Sequence, residues 1–263
     1  MTTAEVRATP TAVDRLREWQ PTDRLLSWAL TLGIAALAFV VRVVNVAQPQ
    51  NKLIFDESYY AKDAWSLLKY GYEGTWPKEA NAQILAGDLS GLQPAASFVV
   101  HPPLGKWIIA LGESAFGMNS FGWRIMAVVF GALLVGATIR LARRVSRSTM
   151  IGALAGILLT FDALAFTMSR IALLDIFQAT FLVMAVAAVV ADRDHARGVL
   201  AAKMDAAGVT SLAGSFGPLV LWRPWRWVAG LLFGAAIACK WNSVFLLAVF
   251  GVVSVLWDVG ARR

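Results

Sequence analysis

The sequence predicts an all-α integral membrane protein that crosses the bilayer several times. Three observations carry the prediction. Of 263 residues, 58% are hydrophobic and only 16% are charged, against about 25% charged in ordinary soluble domains. The apolar residues collect in runs long enough to cross a hydrocarbon core, which takes about 20 residues per helix. Eleven tryptophans suit the membrane–water interface, where indole rings concentrate. The net charge of +7 does not point to nucleic acid in a chain of mean hydropathy +0.60. Basic residues in such a chain first serve to orient loops. A single cysteine, Cys239, excludes a disulfide framework, and two histidines make a His-rich metal centre implausible.

The elements follow in order. Residues 1–24 are polar and lack a cleavable signal peptide, so the first span, 25–46, is expected to remain as an anchor. Three further spans fill 121–191, at Phe121–Leu141, Met150–Met168 and Ile171–Ala191. Residues 192–226 read as a loop, rich in Ala and Gly from Ala201 to Gly217. The run 227–257 is about 31 residues, roughly 46 Å as one helix. That overshoots a core of about 30 Å. It is therefore expected to break into two short helices near Cys239-Lys240-Trp241-Asn242, or to tilt strongly. Residues 258–263 form the end.

The short segments divide by charge. Arg7, Arg15, Arg17 and Arg24 precede the first span, and Arg140, Arg143, Arg144 and Arg147 join the second to the third. Arg193, Arg197, Lys203, Arg223 and Arg226 follow the fourth, and Arg262 and Arg263 end the chain. All lie on one side if the last run is a hairpin, and the positive-inside rule makes that side cytoplasmic. The long loop 47–120 and two tight turns, at Ser169-Arg170 and at Lys240, then face outward.

Loop 47–120 is too long for a simple connector. Tyr60, Ala61, Ala64, Trp65 and Leu68 recur at helical spacing with Lys62, Asp63, Ser66 and Lys69 between them, which predicts an interfacial amphipathic helix. Asp56 and Glu57 stand at its start, where the helix dipole favours negative charge. A second such helix follows His101-Pro102-Pro103, with an apolar stripe of Leu104, Trp107, Ile108 and Leu111. The stretch from Tyr72 to Phe98 has no periodic pattern.

This topology brings Asp56, Glu57, His101, Arg124, Arg170, Asp175 and Lys240 to one membrane face. Cations at head-group depth suit a lipid phosphate, and a carboxylate beside them suits a general base. The combination describes group transfer from a lipid phosphate to an acceptor outside the cytoplasm, the cations stabilising the departing phosphate. Each residue has a plainer use. Asp56 could cap the helix, Arg42, Arg124 and Lys240 could snorkel to head groups, and Arg170 and Asp175 could pair with each other. Asp162 reads as a polar group at the outer end of the third span, and His101 as structural. Asp56 and Glu57 could hold a divalent cation with substrate phosphate, or work without one.

Four segments resemble the protein O-mannosyltransferases, membrane glycosyltransferases of the GT-C type. They are Phe55-Asp56-Glu57-Ser58-Tyr59-Tyr60 with Arg42 and Pro49 before it, His101-Pro102-Pro103-Leu104-Gly105-Lys106, Ser169-Arg170-Ile171-Ala172-Leu173-Leu174-Asp175, and Cys239-Lys240-Trp241-Asn242. The resemblance covers about residues 40–245. It implies a multi-span GT-C-type core, a polyprenyl-phosphate-mannose donor, and transfer with inversion to Ser or Thr hydroxyls of exported proteins. By the same resemblance Asp56 is the general base and Glu57 positions the sugar or acceptor. Arg124 and Lys240 hold the lipid phosphate, with Arg170 assisting and His101 shaping the site. The partners implied are the donor, the acceptor protein, membrane lipids and the protein-export machinery, in a plasma membrane of bacterial, actinobacterial kind. Family members are longer, with further spans, so the resemblance also implies that this chain is a piece of a longer enzyme. The competing readings are another GT-C transferase of aminoarabinose or arabinosyl type, and a membrane subunit that binds lipid phosphate without catalysis.

Overall fold

A computed structural model describes residues 23–50, 52–210, 212 and 217–262. Arg7, Arg15, Arg17 and Arg263 lie outside the described residues, as does part of the Ala201–Gly217 stretch. The helices, in chain order, are α1 (Arg24–Val43), α2 (Glu57–Tyr70), α3 (Ala80–Leu85), α4 (Leu104–Phe116), α5 (Ser120–Ser146), α6 (Thr149–Phe161), α7 (Ala163–Met168), α8 (Leu174–Ala206), α9 (Pro224–Cys239) and α10 (Ser243–Gly260). Strands β1 (Gly74–Thr75) and β2 (Gln93–Ala96) pair antiparallel on either side of α3. Helices α1, α5, α8 and α10 are long and apolar enough to cross a membrane, and α6 and α9 are shorter apolar helices.

The chain departs from the periodic reading at three places, and at a fourth it breaks where the sequence suggested. The apolar stretch 150–168 is not one helix, because the Asp162 carboxylate accepts the Ala165 N–H at 2.7 Å and starts α7 as a fresh helix. Residues 192–206 are not loop. Ala196, Leu200, Ala201 and Met204 recur at helical spacing and are buried, so α8 runs on to Ala206. The run 227–257 is interrupted where Lys240 turns extended (φ −148°, ψ 132°) between α9 and α10. The patternless stretch after Tyr72 carries the short sheet, the one part of the described chain that is not helix or loop.

Close helix contact relies on small residues, as expected where lipid tails supply no hydrophobic drive between helices. Gly152 and Gly156 of α6 lie against Ile139 and Arg143 of α5, where a β-carbon would collide. Gly131 of α5 leaves room in the same way for Ser169 and the stem of Arg42. Arg42 is fully buried and donates to the Ser169 Oγ (2.7 Å), the Ala38 carbonyl (3.2 Å) and the Leu159 carbonyl (3.2 Å). It fastens α1 to the α6–α7 corner instead of snorkelling.

The two ends of the bundle differ. α5 runs from Arg124 to Arg143 and Arg144, and α8 from Asp175 to Asp192 and Asp194. At the second end Arg143 meets Asp23 (2.6 Å) and Arg144 meets Asp194 (3.8 Å). There Arg223 and Arg226 bridge Asp192 and Asp258. At the first end α2 and α4 pack on each other and α4 packs on α5. An apolar cluster of Tyr60, Ala64, Ile109, Trp123, Leu174, Phe177 and Cys239 ties α2, α4, α5, α8 and α9 together beneath this end.

The expected apolar stripe of α4 splits, with Ile108 and Leu104 packed into the core and Trp107 and Leu111 left outside it. Trp107 and Leu111 are exposed, while Lys106, Ile109 and Glu113 point inward. In water that arrangement would be costly. Beside lipid an outward apolar face is satisfied, and of the two inward ionisable residues Lys106 finds partners inside while Glu113 finds none among the described residues. Lys106 meets Asp63 at 2.9 Å and Glu73 at 3.1 Å, which locks α2, the β1 region and α4 to one another.

Candidate active site

The site grows from the turn that opens α2. Phe55 sits in the left-handed region (φ 54°), which is uncommon for a bulky side chain and costs of order 1–3 kcal/mol. The next two residues have opposite fates. Glu57 is fully buried. Its Oε1 accepts from Arg124 Nε (2.7 Å) and the Ala172 N–H (3.0 Å), and its Oε2 from Arg124 Nη2 (2.8 Å) and the Ile54 N–H (2.9 Å). Asp56 is half-buried and makes no capping bond to the helix it precedes. Its nearest side-chain partner among the described residues is the Tyr60 hydroxyl, at 3.5 Å from Oδ2.

Arg124 is equally buried. Besides Glu57 it donates to the carbonyls of Val46, Gln48, Pro49 and Lys52, at 3.1 to 3.4 Å. A guanidinium has five N–H donors, and these contacts engage all three of its nitrogens. In this structure Arg124 and Glu57 are engaged with each other and with the backbone of the loop. The pair pins the loop 46–57 onto α5 and α8, and so fixes where Asp56 points. Both Glu57 oxygens accept two hydrogen bonds each, so the Asp56-Glu57 doublet does not present a chelating pair. Among the described residues no cluster of three His, Cys, Asp or Glu could hold a metal ion.

Lys240 lies in the break between α9 and α10, with Nζ 2.7 Å from Asp175 Oδ1. Asp175 is thus the partner of Lys240 and not of Arg170. Arg170 donates to the Asn45 carbonyl (3.1 Å) and stacks over the Phe166 ring (4.9 Å). Its Nη2 alone makes a hydrogen bond among the described residues. His101 stands 6.3 Å from the Tyr60 ring, centroid to centroid. Its pKa is lowered first by burial and then by Lys240 and Lys106, so the ring is neutral at physiological pH. The Tyr60 phenol is held protonated by burial first, then by the charges of Asp56 and Asp175. These mutual influences put Asp56, Tyr60, His101, Asp175 and Lys240 in one electrostatic neighbourhood.

The sequence-derived set therefore divides. Asp56, His101 and Lys240 come together with chemistry to spare, Arg170 keeps part of its guanidinium, and Glu57 and Arg124 are spent on each other. Asp175, already placed on this face by the sequence, pairs with Lys240, and Tyr60 and Gln178 join the neighbourhood without having been singled out for it. Asp175 gave a signal, a carboxylate in the first turn of an apolar helix, but its partner is 65 residues away.

Comparison with known proteins adds a family model described as dolichyl-phosphate-mannose-protein mannosyltransferase, which matches residues 33–259. The chain is 40% identical over 249 residues to a polyprenol-phosphate-mannose–protein mannosyltransferase of Mycobacterium tuberculosis, covering 94% of this chain and 44% of the relative. It is 34% identical over 239 residues to one of Corynebacterium glutamicum, covering 90% of this chain and 43% of that relative. An undecaprenyl phosphate-alpha-4-amino-4-deoxy-L-arabinose arabinosyl transferase of Pseudomonas paraeruginosa is 33% identical over 125 residues, covering 48% of this chain and 19% of that protein. The chain thus spans less than half the length of these relatives. No solved structure matches.

Proposed function

The chain belongs to the dolichyl-phosphate-mannose-protein mannosyltransferase family, and from that membership we propose that it moves mannose from polyprenyl-phosphate mannose to Ser or Thr hydroxyls of exported proteins. The observation that carries the reading is the contrast at residues 56 and 57. One carboxylate is wholly consumed by structure, and its neighbour is left half-buried with the Tyr60 hydroxyl at 3.5 Å.

In this reading Asp56 takes the proton of the acceptor hydroxyl as its oxygen bonds to the anomeric carbon. The bond from that carbon to the phosphate oxygen breaks, and its electron pair leaves with the polyprenyl phosphate. Attack opposite the leaving group inverts the anomeric centre. The phosphate gains a negative charge as it departs, and Lys240, with Arg170 assisting, stabilises it there more than in the ground state. His101, neutral, and Tyr60, protonated, shape the pocket without adding charge. Glu57 and Arg124 act only through the turn they hold.

The reading places this chemistry on the extracytoplasmic face of the plasma membrane, with the donor drawn from surrounding lipid and the acceptor delivered by the export machinery. The opposite end carries Arg140, Arg143 and Arg144 on α5, Arg193 on α8, and Arg223 and Arg226 at the start of α9, a basic excess of the kind found on a cytoplasmic side. A second reading, transfer of an aminoarabinosyl group, is favoured by the similarity to the arabinosyl transferase over about half of this chain. Membranes carrying the chain, given radiolabelled mannosyl-phosphate polyprenol and a Ser/Thr peptide, test the first reading. Labelled peptide supports it. Label transferred only from an aminoarabinosyl lipid moves the assignment to the second, and transfer from neither donor overturns both.

A further inference from the structure

We propose that Asp175 and Gln178, one turn apart on α8, are positioning residues that aim the Lys240 ammonium at the donor phosphate. The inference rests on the phosphate role given to Lys240 above.

A lysine in a helix break has little to aim it. Its backbone is extended and its side chain has four rotatable carbons, so an unsupported ammonium samples a wide volume. Here α8 contributes contacts to each part of the break. Asp175 fixes the ammonium itself, at 2.7 Å. Gln178 is buried, and its Nε2 donates to Asn242 Oδ1 (2.5 Å) and Ser243 Oγ (2.7 Å), the residues that start α10. Cys239, the last residue of α9, is buried in the apolar cluster with Phe177 of α8. Both sides of the break and the lysine between them are therefore referenced to the first turn and a half of α8.

The placement of Asp175 suits this work. It lies in the first turn of α8, where the helix dipole favours a carboxylate. It is 47% exposed and Lys240 is 19% exposed. With the Asp175 carboxylate about half open to solvent, the pair is weaker than a fully buried one, so the ammonium can turn from Asp175 to a phosphate at lower cost, starting from the right place. A deeply buried pair such as Glu57–Arg124 could not exchange partners in this way.

Binding of undecaprenyl phosphate to the purified chain in nanodiscs, with neutral undecaprenol as the control lipid, tests the assignment without requiring turnover. Asp175→Asn is expected to weaken the phosphate lipid about tenfold, the scale of one charge-assisted hydrogen bond, and to leave undecaprenol unchanged. Asp175→Glu is expected to recover part of the loss. In a Lys240→Gln background, Asp175→Asn is expected to add nothing, whereas a general folding fault would add its full effect. If Asp175→Asn does not fold, Gln178→Met carries the same comparison, with a loss expected only when Lys240 is present. If Lys240→Gln weakens the phosphate lipid while Asp175→Asn and Gln178→Met leave it unchanged or tighten it, the positioning role is overturned and the phosphate role stands. If Lys240→Gln itself has no effect, the phosphate role falls and this inference with it.

Discussion

Glu57 and Arg124 form a fully buried, two-pronged ion pair, Nε to Oε1 at 2.7 Å and Nη2 to Oε2 at 2.8 Å. Every remaining acceptor on the carboxylate is taken by a backbone N–H, so the pair is hydrogen-bonded to completion. Breaking one member leaves an uncompensated buried charge, which costs about 3–5 kcal/mol. Glu57→Gln and Arg124→Gln are each expected to lower the melting temperature of the solubilised protein sharply. Joint replacement by Glu57→Leu and Arg124→Met is expected to cost less than the sum of the single losses. Thermal unfolding in detergent checks this, and single variants as stable as the parent would contradict it.

Lys106 plays a similar part with an unequal balance. It faces two carboxylates, Asp63 and Glu73, and burial is the first cause that lifts the Asp63 carboxyl above its usual range, with Lys106 opposing. Lys106→Met removes the one cation between them. The outer loop is then expected to open, so that β1, β2 and α3 gain protease sensitivity and exchange backbone hydrogens faster. Unchanged hydrogen exchange over 73–96 would contradict it.

Glu113 supplies a pH dependence. Both its oxygens are buried on the inner face of α4 without a hydrogen-bond partner among the described residues, and burial raises its pKa well above 4.5. The folded chain keeps this proton while the unfolded chain loses it above about pH 4.5. The unfolded state is therefore favoured progressively as pH rises past that value, up to the pKa of the folded state. Glu113→Gln cannot ionise. It is expected to be more stable than the parent at pH 7 and to match it near pH 4. Melting temperatures across that range check it, and a parent no more pH-sensitive than Glu113→Gln would contradict it.

How much of this was legible in the sequence follows from the range of the forces. The apolar runs locate the spans because burial in lipid acts residue by residue, and the run of 31 residues announces its break by being too long. Local signals also place α2 and α4. What the sequence withheld were the pairings. Glu57 and Asp56 look alike in the chain, and their separation into a fully buried, paired carboxylate and a half-buried one depends on Arg124, 67 residues from Glu57. Asp162 as the start of α7 was visible as a residue type but hidden within an apolar run. The split of the α4 stripe, with Ile108 inward and Trp107 and Leu111 outward, depends on packing against α2 and α5 that no local pattern records.

The central claim is that Asp56, and not Glu57, is the carboxylate that reacts. The measurement that tests it most directly is the rate of mannosyl transfer by Asp56→Asn, taken with undecaprenyl phosphate binding and melting temperature on the same preparation. The predicted result is a fall in rate of about 10²–10⁴, the usual contribution of a general base, with lipid binding and stability retained. Transfer at the parent rate by a folded Asp56→Asn protein would contradict it.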